Sequence, residues 1–319
     1  MPVTNYPDGF KNGLTIRGIP LTMSNPGEVF WVGNGGVPVS GGVGGLDGNN
    51  GTFQRPFATL DYAVGKCVAS RGDTIIILPG HAETVSTATA LALDVAGITI
   101  IGLGAGTLRP TFTLDTAATA TIAVSAANVS LKNLVFTANF ADIAELFTPS
   151  AVDFHCEDCE FNAAGANLNF VEIVDTGTTD NECDGLSFVR CSWVEPDTAT
   201  TSFLNIDADL DQLVVEDCYF NLGVNTSDLP IIAVVATGKD LTNVRIVGNE
   251  CIRLNDANPL LITADTTTAN TGVVADNFVR HLDVAAELLV TAGTNFGFFD
   301  NKATAAVDAS GYLLPAADS

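Results

Sequence analysis

Hydrophobic and polar positions alternate along this chain in short bursts that are nearly rewritten every 24 to 32 residues. LVVEDCYF (213–220) is one such burst, and its echoes are VSLKNLVF, HCEDCEF, LSFVRCSW, VRIVGNEC, GVVADNFV and FGFFDNKA. Aligned on their last positions they give the anchors Phe136, Phe161, Trp193, Phe220, Cys251, Val279 and Ala303. Five places before each anchor stands Leu131, Cys156, Phe188, Val215, Ile246, Val274 or Phe298. Apolar positions two apart within a burst mark one face of a short strand. A second set of apolar pairs lies between the bursts, at Leu146–Phe147, Phe170–Val171, Phe203–Leu204, Ile231–Ile232, Leu260–Leu261 and Leu288–Leu289.

Units of this kind bury nothing alone, and stacking them gives a continuous core. The pattern therefore predicts an all-β parallel solenoid of roughly nine coils. Two places before the anchor the series reads Leu134, Cys159, Cys191, Cys218, Asn249, Asn277 and Asn301. At this register the chain resembles the right-handed parallel β-helix of the pectin-lyase-like superfamily, over about residues 73 to 303. The resemblance implies an interior ladder in which each turn asparagine bonds the next coil. Cys159, Cys191 and Cys218 continue that column as small apolar groups.

Outside the repeats, residues 1–56 read as an N-terminal arm. They contain isolated apolar patches, then nine glycines between positions 33 and 51, a stretch that is either flexible or tightly packed irregular backbone. In 57–72, Phe57, Leu60, Val64, Cys67 and Val68 fall at helical spacing behind Thr59 as N-cap. A helix there would cover the open end of the first coil. Residues 304–319 form a tail with one apolar patch, suited to capping the far end. GNNGTFQRPFATL followed by GDTIIILPG resembles the start of phage-encoded β-helix proteins. No apolar run has transmembrane length and the N-terminus lacks the pattern of a secretory signal, so synthesis in a host cytoplasm is expected.

The net charge of −24 changes this picture by its placement. Lys11, Arg17 and Arg55 balance Asp8, Glu28 and Asp47 in the arm, so the acidity belongs wholly to the remainder. Such a body repels phosphate backbones, which argues against nucleic-acid binding.

Candidate chemistry is sparse. Cys156-Glu-Asp-Cys159 has the spacing of half a zinc site, but no second half follows, and the seven cysteines read as reduced core thiols. Neither a metal nor a cofactor is expected, and LDGNNG (46–51) reads as a turn. Carboxylates are the serious candidates if the chain is an enzyme, because two of them at adjacent-coil spacing can divide acid and nucleophile roles. Asp175, Asp207, Asp209 and Asp265 follow the second strand at similar offsets and share one edge. Another column, Asn133, Asp158, Arg190, Asp217, Gly248, Asp276 and Asp300, reads as outward turn residues. Two tryptophans and four tyrosines are few for a sugar cleft.

The opening GFKNGLTIRGIPL resembles a tailed-phage virion protein. That resemblance implies a capsid-decoration protein on the virion surface, its arm attached to the major capsid protein or another virion protein and its acidic β-helix projecting outward. Attachment contacts are expected from Phe10, Leu14, Ile16, Ile19, Leu21, Val29, Phe30 and Trp31. The family also implies a homo-oligomer, a trimer in particular. The alternatives are a tailspike or tail-fibre module that binds or cleaves a host-surface glycan, and a stand-alone pectin-lyase-like enzyme whose mark would be calcium dependence.

Overall fold

The computed structural model describes residues 27–33, 42–195, 200–223, 231–253, 261–263, 270–281 and 296–305, with short strands at 15–16, 19–20 and 310–312. The body is a parallel β-helix with three sheets, of ten, ten and seven strands. Among the described residues, seven coils carry a strand in all three sheets, fewer than the roughly nine read from the spacing; two later coils are described in the first two sheets only. A short antiparallel strand, Ser310–Tyr312, closes the end of the second sheet.

The anchors fall into one register. Phe112 pairs with Phe136, Phe136 with Phe161, Phe161 with Trp193, Trp193 with Phe220, Phe220 with Cys251, Cys251 with Val279 and Val279 with Ala303. On the first sheet, Leu131, Cys156, Phe188, Val215, Ile246, Val274 and Phe298 pair in the same way. Aromatic rings stack along the axis, Phe112 on Phe136 at 5.6 Å and Phe136 on Phe161 at 5.9 Å. Offset rings at this spacing add about 0.5–1.5 kcal/mol per pair beyond the area they bury.

The corner between the first and second sheets needs one left-handed residue per coil. Asn133, Asp158, Asp217, Asp276 and Asp300 all have φ between 51° and 56°, and Gly248 has 72°. Asn and Asp tolerate this region because their short side chains bond locally. Arg190 occupies the same corner at φ 51° without that chemistry. Its guanidinium is instead held by Asp158 at 2.8 Å and by Glu157.

The third sheet differs in phase from the sequence reading. Phe147 pairs with Val174, and Val174 with Leu204, so the buried doublet of that coil is Ile173–Val174 rather than Phe170–Val171. Phe170 pairs with Ile143 at the start of a longer strand. Likewise Ile232 pairs with Ile262, which makes the later doublet Leu261–Ile262. Leu260, Leu288 and Leu289 lie outside the described residues.

The solenoid also begins earlier than the apolar pattern places it. Val29–Val32, assigned by sequence to the arm, is the first rung of the first sheet, in register with Thr74–Ile77. Its backbone is further tied to the glycine-rich stretch, with Gly33 N–H donating to Phe57 O and Trp31 N–H to Gly51 O. In its described part that stretch is tightly packed: a Cβ on Gly45 would lie 1.8 Å from the Gly33 oxygen, and one on Gly51 2.3 Å from the Phe57 ring.

The capping helix is a single short turn region, Leu60–Val64, rather than a helix through residue 72. After Gly65 the backbone continues as i to i−3 turns, with Cys67 N–H bonded to Val64 O, and Ser70 turns left-handed at φ 59°. The Thr59 hydroxyl accepts from Tyr62 N–H, Asp47 accepts from Ala58 and Thr59 N–H, and Glu83 accepts from Leu60 N–H. Buried Asp73 accepts from Glu28 N–H, Val68 N–H and the Arg71 guanidinium, joining first rung, cap and body.

Candidate functional site

The interior column carries residue types that are often reactive, and its geometry decides whether they are so here. Asn249 Nδ2 donates to Asn277 Oδ1 and Asn277 Nδ2 to Asn301 Oδ1, each at 2.9 Å. The same three amides also donate to Val215 O, Ile246 O and Val274 O, one coil earlier. In the thiol half, Cys159, Cys191 and Cys218 direct Sγ to Leu131 O, Cys156 O and Phe188 O, at 3.5 to 3.7 Å. These acceptors belong to the single column five places before the anchors, so cysteine and asparagine answer the same buried carbonyl. Burial pushes the Cys156 and Cys191 thiols well above the ordinary range, which suits packing and not nucleophilic attack. Among the described residues no group of three or more His, Cys, Asp or Glu side chains is placed to hold a metal ion.

The outer face of the third sheet gathers carboxylates. Glu145 and Glu172 are register partners on adjacent coils, so their backbones are about 4.8 Å apart. Glu172 accepts from Thr201 Oγ1 at 3.3 Å and from Asn205 Nδ2 at 3.0 Å. Burial, with Asp175 and Glu145 nearby, pushes its carboxyl up to about 7 despite those two bonds. Glu145 is also raised, by burial and then by Asp175, and Asp207 is raised by the same two causes. The group is therefore half-buried acid with no described cation, and Glu172 exchanges its proton near neutral pH.

Of the acids expected on this edge, Asp175 and Asp207 belong to the group. Asp209 does not: its N–H donates to Asp180 and its carboxylate accepts Asp240 N–H, a structural ladder along the next turn. Asp265 lies outside the described residues. Glu145 and Glu172 were not singled out by sequence. The signal for them is an acid inside an apolar strand on two successive coils, A-E-L (144–146) and V-E-I (171–173). It becomes visible only when the third sheet is phased on Ile173–Val174.

What this arrangement can do is proton transfer. Two glutamates that are register partners on adjacent coils are the kind of pair that can divide acid and nucleophile roles in cleavage of a glycosidic bond. No aromatic platform accompanies them among the described outward residues of this sheet, since Phe147, Phe170 and Phe203 all point into the core. Trp193 is also interior, with its indole donating to Glu195 at 2.6 Å.

The second candidate region is the N-terminal end. Val29, Val43, Leu46, Phe53 and Val68 are among the large apolar side chains left exposed, and all belong to the segment that closes the first coil. Trp31 packs edge-on against Phe53 at 5.0 Å, leaving the outer side of Phe53 uncovered. Of the expected attachment residues, Val29, Phe30 and Trp31 thus lie in the first rung, and Ile16 and Ile19 in a two-strand antiparallel pairing. Phe10, Leu14 and Leu21 lie outside the described residues.

A parallel β-helix with an apolar end and an acidic third face is the class these observations define. No family model and no curated protein matches the chain. A solved rhamnogalacturonan lyase is similar in structure, with a TM-score of 0.47, 15% identity, and coverage of 87% of this chain and 74% of that one.

Proposed function

We propose that this is a structural virion protein, a decoration component held to its shell by the N-terminal arm and the adjoining end of the solenoid, with the acidic body projecting outward. The observation that carries the reading is the apolar end: Val29, Val43, Leu46 and Phe53 stay exposed within the neutral residues 1–56, while all of the net −24 lies in residues 57–319. Apolar side chains grouped at one end of a rod are suited to burial against a protein surface, and the acidic remainder keeps neighbouring rods apart. The resemblance of the opening sequence to tailed-phage proteins supports a virion as the setting.

The test is cosedimentation with empty shells of the virion of origin. Full-length protein should bind saturably at lattice stoichiometry. Removal of residues 1–26, or the double change Leu46→Glu and Phe53→Glu, should weaken binding at least tenfold. Failure of the full-length protein to bind sinks the reading.

A second reading, a tailspike-type module that cleaves host-surface polysaccharide, is favoured by the Glu145–Glu172 pair. Glu172 would then be the acid and Glu145 the nucleophile. Release of reducing ends from host polysaccharide, abolished in both Glu172→Gln and Glu145→Gln, would establish it; equal release by the variants would remove it.

A further inference from the structure

Asn49 and Asn50 are neighbours in one turn but differ in what holds them. Asn49 Nδ2 donates to Gly44 O at 3.1 Å and to Pro56 O at 2.8 Å, which locks its amide. Asn50 is exposed, and no described group bonds its side chain. The next residue is Gly51, at φ 70°, where a Cβ would lie 2.3 Å from the Phe57 ring, so the position excludes every side chain. Gly51 O accepts Trp31 N–H at 2.8 Å, while Gly51 N–H donates to no described group. Among the described residues Asn50 is the one asparagine that precedes a glycine; Asn12 and Asn34 also do, and lie outside them.

We propose that Asn50 is a site of covalent self-modification, which converts through a succinimide to isoaspartate and thereby unties the first rung of the solenoid. Gly51 N loses its proton to hydroxide and attacks Asn50 Cγ. The bond from Cγ to the side-chain nitrogen breaks, and that nitrogen leaves as ammonia with a proton returned by water. Water then opens the ring at either carbonyl, giving aspartate or isoaspartate; it is the sole co-reactant and nothing is oxidised or reduced. The reaction needs a side-chain amide free to turn, a backbone N–H that is not already donated, and no side chain on the attacking residue. Asn50 with Gly51 meets all three, whereas Asn49 has a fixed amide and a following residue with a side chain. In isoaspartate the backbone runs through the former side-chain carbon, which adds about 1.5 Å of chain between residues 50 and 51. The surroundings leave no slack for it. Phe57 N–H donates to Trp31 O at 2.8 Å and Gly33 N–H to Phe57 O at 2.9 Å, so the ring that bounds Gly51 is itself fixed to the strand Val29–Val32. A displaced Gly51 carbonyl releases Trp31 N–H, and a carboxylate arrives in a segment whose charges balance. This inference rests on neither of the functional readings above.

The test ages full-length protein in mildly alkaline buffer and maps its peptides by a separation that distinguishes aspartate from isoaspartate. Asn50 should convert with first-order release of ammonia, at a rate proportional to hydroxide, while Asn49 stays intact. Hydrogen exchange at Trp31 N–H should quicken roughly tenfold or more in the converted fraction. Asn50→Gln, whose ring closure is disfavoured, should keep the exchange of fresh protein however long it is aged, although Asn12 and Asn34 remain. An Asn50 that survives in the folded chain while it converts in denatured chain would overturn the site. Unchanged Trp31 exchange in material carrying isoaspartate at position 50, or equal quickening in aged Asn50→Gln, would overturn the untied rung.

Discussion

Glu157 and Glu172 lie on the same coil, one on the first sheet and one on the third, both facing outward from a strand. Yet they are driven in opposite directions. Hydrogen bonds from Lys132 and then Arg190 hold Glu157 at about 2. Burial, unrelieved by any described cation, lifts Glu172 to about 7. The difference teaches what each face is built for. Paired charge on the first sheet keeps Glu157 ionised well into acid. Unpaired acid on the third sheet keeps a proton in play.

The largest effect is expected from placing a cation beside Glu172. Glu145→Lys sets an ammonium on the adjacent coil, where it favours the ionised carboxylate. The Glu172 pKa should fall from about 7 by roughly two units or more, read by carboxyl-carbon NMR titration. A value that stays near 7 would mean burial alone sets it and the Glu145–Glu172 juxtaposition is electrically silent.

A smaller effect follows from Glu172→Gln, and its sign is set by linkage. The folded-state pKa is raised, so the native protein binds the extra proton between the ordinary glutamate value of 4.5 and about 7. Stability is therefore lost as pH rises through that window, and the loss is complete above it. The glutamine variant removes this slope. It should be more stable than the parent above pH 7, by on the order of 1 kcal/mol after discounting for solvent screening, and indistinguishable below pH 4. Urea titrations at pH 4, 6 and 8 check this; a parallel decline in both proteins would contradict it.

The two glutamates also mark how far the sequence could be read. Glu157 follows Cys156 in the repeated burst, where inward positions two apart and a turn residue every coil fix the register without ambiguity. The anchor columns and the Asn249–Asn277–Asn301 positions were legible for that reason: each coil rewrites the same physical demand. The third sheet was not. Its strand at 170–175 buries Phe170 as well as Ile173 and Val174, so two phases satisfy the hydrophobic pattern, and the wrong one places Glu172 off the column of Glu145. Val29–Val32 was missed because four apolar residues find their partner at Thr74–Ile77, across a glycine-rich stretch that carries no period. Asp209 misled for a third reason: aspartates recur along a turn when their carboxylates accept backbone N–H groups from the next coil, and that column looks the same in sequence as a catalytic one.

The smallest effect belongs to the paired side of the comparison. Lys132→Met removes the first of the two cations that hold Glu157 down, leaving Arg190 in place. The Glu157 pKa should rise from about 2 toward the ordinary value of 4.5 without reaching it. Here the folded-state pKa is depressed, so the pair's contribution is present above 4.5 and disappears as pH falls through about 2. The variant should accordingly be less stable at pH 7 by under about 1 kcal/mol, as befits a partly exposed pair, and the gap should close in acid. A Glu157 titration unchanged in the variant would show that Arg190 alone sets it, and that the neutrality of the first face rests on the corner and not on the Lys132–Glu157 pair.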